Sequence, residues 1–149
     1  MKILLAFDGS VFSENALQAI TSRIRPEGAE VLVVQIVEPR IFSTPPHMSP
    51  GYAPELEEIL KHEMAEADRS TAHAVAVLKK AGYNATARVA ESETRSGILD
   101  IAAEWRADLI VLGSHGRKGL QRFMLGSVAE SVARNAFCSV FIVRLPATK

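Results

Sequence analysis

Apolar residues gather in five short runs along the chain, and amphipathic stretches separate them. The runs are 2–7 (KILLAF), 30–37 (EVLVVQIV), 85–90 (ATARVA), 107–112 (ADLIVL) and 139–143 (SVFIV). All but the third are nearly continuous rather than alternating, as strands covered on both faces read. Between them, apolar residues recur at steps of three and four, which predicts helices. Phe12, Ala16, Ala19, Ile20 and Ile24 mark a helix over 11–24. Leu56, Leu60, Met64, Ala67, Thr71, Ala74 and Leu78 mark a long one over 54–81. Ile98, Ile101, Ala102 and Trp105 mark 96–105, and Val128, Val132, Ala133 and Ala136 mark 127–136. Ser10 or Ser13 suits the first N-cap, Pro54 a first helical position and Gly82 a C′ position. Strands alternating with helices predict an α/β fold: one domain over 1–149, an open parallel five-stranded sheet with helices on both faces. The stretch 39–54 (PRIFSTPPHMSPGYAP) is rich in proline and turn residues and reads as a long surface loop.

In such open sheets, ligands bind beyond the carboxyl ends of the strands where strand order reverses. Two features follow strand ends. Asp8-Gly9-Ser10 follows the first strand, and Gly113-Ser114-His115-Gly116-Arg117-Lys118-Gly119 follows the fourth. With the order 3-2-1-4-5, those strands are neighbours at the reversal, and both features face one crevice. Glycine admits positive φ and lets a ligand approach without a Cβ in the way. Gly126-Ser127 then opens the last helix, whose free N–H groups and positive dipole end favour phosphate. Arg117, Lys118 and Arg122 add positive charge. The pattern points to a backbone cradle for a polyphosphate. A simpler account makes Ser127 and Glu130 a capping box with Gly126 as its turn, but it leaves the glycines after the fourth strand unexplained.

Other nucleotide signatures do not fit. There is no G-x-x-x-x-G-K-[ST], no G-x-G-x-x-G after the first strand, and only Asp8 where a receiver domain carries paired acids. Lys plus Arg equals Asp plus Glu at 17 each, which argues against nucleic acid and anionic membranes as partners. A lone cysteine, Cys138, asks for no oxidising compartment, and the apolar start Ile3–Phe7 is too short for a signal peptide or membrane helix, so a cytoplasmic location is expected. His47, His62 and His73 are scattered and predict no metal site. His115 reads as a solvent-exposed loop residue, Trp105 as core and Cys138 as a small buried hydrophobe.

The spacing Gly113-x2-Gly116-x9-Gly126-Ser127 resembles the ATP-binding signature of the universal stress protein family. KILLAFDGSVFSENAL resembles that family's first strand and helix, and LGSVAESVARNAFCSVFIVR its last helix and strand. The resemblance covers the chain apart from 39–54. It implies a Rossmann-like sheet of order 3-2-1-4-5, of the adenine nucleotide alpha hydrolase type, and a homodimer formed through the last strand, 139–144. It also implies the contacts to ATP. The backbone of Ala6, where proline is usual, lines the adenine side, Asp8 meets the adenosine, and the backbone of Ile36 meets the adenine edge. Leu112, Gly113, Ser114, His115, Gly116, Arg117 and Lys118 wrap ribose and phosphates, and Gly126, Ser127 and Val128 hold the distal phosphates. Gln35 stands where histidine is frequent in the family.

Three functional readings follow. The first is a nucleotide-responsive stress and signalling protein whose partner affinity changes with bound ATP. The second is a slow ATPase or phosphotransfer enzyme using Arg117, Lys118 and Mg²⁺; no catalytic base is evident. The third is a family member that acts by dimerisation without nucleotide.

Overall fold

The computed structural model describes residues 1–39, 53–117 and 124–145. In chain order the elements are β1 (Lys2–Ala6), α1 (Val11–Arg23), β2 (Glu30–Val37), α2 (Ala53–Lys80), β3 (Asn84–Glu91), α3 (Thr94–Trp105), β4 (Leu109–Gly113), α4 (Ser127–Asn135) and β5 (Ser139–Val143). The strands form one parallel sheet of order β3-β2-β1-β4-β5. The order reverses at β1, whose two neighbours are β2 and β4. The expected fold class and strand order are therefore those observed. Most of the proline-rich stretch, residues 40–52, lies outside the described residues.

The near-continuous apolar strands are explained by two cores, one on each face. Ile3, Leu5, Phe7, Val31, Val33 and Val111 pack with Ala16, Leu17 and Ile20 of α1 and Ala74 and Leu78 of α2. The alternate residues Leu4, Leu32, Val34, Ile110 and Leu112 pack with Ile98, Ile101 and Ala102 of α3 and Ala129 and Val132 of α4. Successive strand side chains point to opposite faces, so each strand feeds both cores. β3 is an edge strand and largely exposed, which is why its sequence signal is weaker.

The helix ends show where local chemistry decided the boundaries. Ser10, not Ser13, caps α1, accepting from Ser13 N. Gly82 takes φ +94 after α2, with Tyr83 N donating to Leu78 O, the turn expected there. α3 starts at Thr94, before the expected 96, because Glu93 acts as its N-cap and accepts from Ser96 N at 2.8 Å. Glutamate is not a favoured cap, so the sequence pattern starts the helix late. Three residues expected to be buried differ, and Cys138 is one, half-buried against the α3–α4 core. Ala133 is exposed on α4, because the burial stripe runs through Ala129 and Val132. Trp105 is half-buried, its ring 5.2 Å under Lys2 Nζ at the amino end of the sheet.

Glu93 holds α3 at the end that brings Gly97 against Ile36. The bond from Arg95, helped by the Ser96 amide, lowers its carboxyl to about 2 from 4.5. A carboxyl whose folded value is depressed stabilises the fold above its unfolded value and loses that contribution as pH falls toward the folded one. Glu93→Gln is expected to cost about 0.5–1 kcal/mol near neutral pH, a screened cap on an exposed helix end. The deficit relative to wild type should close as pH falls from about 4.5 toward about 2. Urea unfolding across that window, with a carboxyl NMR titration of Glu93, checks both points.

Candidate functional site

Both features that follow β1 and β4 meet at the reversal point. Ser10 N donates to Asp8 Oδ1 at 3.0 Å, closing a tight Asp8-Gly9-Ser10 turn, and Gly9 takes φ +72 within it. Only glycine adopts that backbone without strain, and a Cβ there would also sit 3.0 Å from Ser70 Oγ of α2. Ser13 is buried beneath the turn. Its hydroxyl accepts from Asp8 N and donates to Ser10 O.

The loop after β4 is held from both sides. Ser114 N donates to Val143 O and Gly126 N donates to Ser114 O, each at 2.8 Å. The three described signature glycines work by close approach rather than by handedness. Gly9, Gly28 and Gly82 are the described glycines at positive φ, and Gly113, Gly116 and Gly126 are not among them. A Cβ on Gly113 would lie 2.7 Å from the carbonyl carbon of Phe12, inside the backbone of α1. One on Gly126 would lie 3.1 Å from Ser114 O and 3.2 Å from His115 Cα, and one on Gly116 would lie 3.0 Å from Asp8 Oδ2. The positive-φ rationale for these three is thus corrected: they let the β4 loop lie flat against α1, α4 and the Asp8 turn.

Asp8 joins the two features. Arg117 N donates to Asp8 Oδ2 at 3.2 Å, and Arg117 Nε donates to the Asp8 carbonyl at 2.6 Å. The carboxylate therefore holds its own turn with one oxygen and the second loop with the other. A phosphate placed at the loop amides would compete with Asp8 for the Arg117 N–H. His115 is not the solvent-exposed loop residue expected. It is half-buried, its ring 5.2 Å from that of Phe12, and its Nδ1 lies 3.1 Å from Ser114 Oγ.

The start of α4 is open. Its N-cap is Gly126, and among the described residues no side chain caps it, whereas Ser10 caps α1 and Glu93 caps α3. The simpler account, a Ser127–Glu130 capping box, does not hold. Ser127 is already the first helical residue, and Glu130 is paired with Arg134 at 2.9 Å instead. The first-turn N–H groups of a helix have no partner within it. Here they stand beside Ser114 and His115 with Ser127 exposed, an arrangement that suits an anion.

Ala6 and Ile36 lie half-buried at the carboxyl ends of β1 and β2, where Phe7 N donates to Val34 O at 2.8 Å. The Leu112 side chain is buried in the core, so only its backbone is available to a ligand. Gly116 and Arg117 are exposed, and Val128 is half-buried. Lys118, Gly119 and Arg122 lie outside the described residues. Phe12, Ser13 and Ser70 support the site but were not read from the sequence as doing so: Ser13 acts through local bonds to Asp8 and Ser10, and Phe12 and Ser70 through close approach to Gly113 and Gly9, far away in the chain. A cavity of about 470 Å³ lies elsewhere, along β5, lined by Arg23, Leu125, Phe141, Ile142, Val143 and Arg144.

Comparison with known proteins agrees with this geometry. The model of the universal stress protein family matches residues 1–144. A universal stress protein of Methanocaldococcus jannaschii is 32% identical over 145 residues, covering 97% of this chain and 82% of the relative. One of Bacillus subtilis is 32% identical over 145 residues, covering 96% and 98%. Among solved structures, a universal stress protein from Lactobacillus plantarum superposes with a TM-score of 0.84 at 23% identity, over 97% of each chain. A family protein from Arabidopsis thaliana with AMP bound gives 0.70 at 14% identity, over 99% and 93%. One from Archaeoglobus fulgidus in complex with dAMP gives 0.65 at 23%, over 95% and 96%. At these identities the structural likeness is one of fold. No described helix is long and apolar enough to cross a membrane.

The glycine contacts separate two kinds of substitution. Gly113→Ala should cost about 1–3 kcal/mol, as overpacking against backbone does. Gly116→Ala should cost under about 1 kcal/mol, because the Asp8 carboxylate it meets is the end of a side chain and can shift. Urea midpoints of the two variants against wild type give the comparison.

Proposed function

We propose that this chain, which belongs to the universal stress protein family, binds an adenine nucleotide at the β1–β4 crevice and acts as a nucleotide-responsive signalling protein. The observation that carries this reading is the start of α4. Among the described residues no side chain caps its first turn, and Gly126 packs that turn against the loop after β4 at the reversal of strand order. The bound AMP and dAMP named for the two structural relatives support an adenine base.

In this reading the backbone of Ala6 and Ile36 borders the base, and Asp8 meets the sugar. Leu112, Gly113, Ser114, His115, Gly116, Arg117 and Lys118 wrap the ribose and proximal phosphates. Gly126, Ser127 and Val128 hold the distal phosphates of ATP, with Mg²⁺ accompanying the charge. The Arg117–Asp8 contacts must then loosen as phosphate arrives, which couples ligand entry to the position of the second loop. The reading places the protein in the cytoplasm as a homodimer joined through 139–144. The position of β5 at the sheet edge supports this pairing.

Two measurements test it. Native mass spectrometry of freshly purified protein should show bound adenine nucleotide on a two-subunit species. Equilibrium dialysis should show ATP binding that Gly116→Val weakens roughly tenfold or more, the loss of a hydrogen bond or two to a charged group, while far-UV CD stays unchanged. Absence of ATP and AMP binding up to millimolar concentration would sink the proposal.

A further inference from the structure

The free protein already presents an anion to the loop after β4, and that anion is its own Asp8. The residue is half-buried just past the end of β1. Ser10 N donates to its Oδ1 at 3.0 Å, and Arg117 N donates to its Oδ2 at 3.2 Å. The clasp is closed a second time where Arg117 Nε donates to the Asp8 carbonyl at 2.6 Å. Oδ2 lies hard against the loop, since a Cβ on Gly116 would sit 3.0 Å from it. The guanidinium folds over the first turn, with Nη2 3.8 Å from the place a Cβ of Gly9 would take. Two hydrogen bonds thus join residues 109 apart in the chain.

The acceptor chemistry of Asp8 decides which ligands disturb this clasp. Each carboxylate oxygen has two lone pairs. A sugar hydroxyl can therefore donate to Oδ2 while the Arg117 N–H stays where it is. A phosphate cannot share in that way. Its oxygens are acceptors, so it claims the same N–H that Oδ2 holds. It also brings negative charge beside the carboxylate, and like charges repel.

We infer that the Asp8–Arg117 clasp is an autoinhibitory latch that senses the phosphate of the ligand. Asp8 fills the phosphate's place at the Arg117 amide, so the loop moves for a nucleotide and stays closed for a nucleoside. The inference rests on the nucleotide reading above and adds which part of the ligand is sensed. Such a latch lowers apparent affinity, because the competent loop position must first be populated.

The test is calorimetric titration of wild type and Asp8→Asn with AMP and with adenosine. Asparagine keeps a carbonyl oxygen for Ser10 N and turns toward Arg117 an NH2 group that cannot accept. With the latch open and the like charge gone, the ratio of AMP to adenosine affinity should rise about fivefold or more, the scale of one partly exposed charge-assisted hydrogen bond. If Asp8 contacts only the sugar, both affinities change by one factor, and a ratio within about twofold of wild type overturns the inference. A ratio that falls overturns it too. A second measurement needs no variant: in wild type, AMP should move the Arg117 amide NMR resonance several-fold further than adenosine does. Equal movement by the two ligands, or movement by neither when both are bound, overturns the latch and leaves nucleotide binding intact. If wild type binds neither ligand, the nucleotide reading itself has failed and the latch falls with it.

Discussion

The close approach of the end of β4 to the first turn of α1 is the constraint on which the crevice depends. At Gly113 the two backbones are so near that a methyl group would sit 2.7 Å from the Phe12 carbonyl carbon. That contact sets where the following loop can go. From it, Ser114 reaches Val143 on one side and Gly126 on the other, and Arg117 reaches Asp8. Protein interiors are packed too densely to absorb an added methyl against backbone without displacement. Any side chain at 113 would push the loop off α1 and separate the Asp8 turn from the start of α4.

The polar groups of the crevice are unevenly satisfied. Asp8, Ser10 and Ser13 close on one another and leave the first turn well bonded. Among the described residues, no side chain caps the start of α4, and Gln35 buries an acceptor with no donor. Both lie at the carboxyl end of the sheet, within strands and helices that are otherwise well packed. Local rules of foldability are most often broken where a protein meets something else. A helix start that attracts anions is what the phosphate end of a nucleotide requires.

Asp8 is the hinge between these parts. Its carboxylate holds the Arg117 amide, one of the groups that a phosphate would claim. The free protein thus keeps its second loop folded onto the first turn. Under the proposed function, a phosphate would replace the carboxylate at the same N–H, and the loop position would follow the exchange. A signal can be read out this way without chemistry on the nucleotide, since only the relative affinity for two loop positions matters.

Much of the fold was legible in the chain. Continuous apolar runs and helical spacing foretold the strands and helices, and the turn residues after the first and fourth runs foretold that those two loops meet at the reversal of strand order. These signals are local: period, turn residues and charge act within a few positions of one another. What the glycines are for was not legible. Gly113, Gly116 and Gly126 avoid clashes with Phe12, Asp8 and Ser114, partners from 12 to 108 residues distant for which no periodicity speaks. The failed Ser127–Glu130 box, the Glu93 cap and the unpaired amide of Gln35 were equally hidden, because each depends on what packs around a side chain rather than on its type. Short-range pattern settled which elements form and in what order. The close approach of distant backbones alone decided how the loops meet and which polar groups remain open to a ligand.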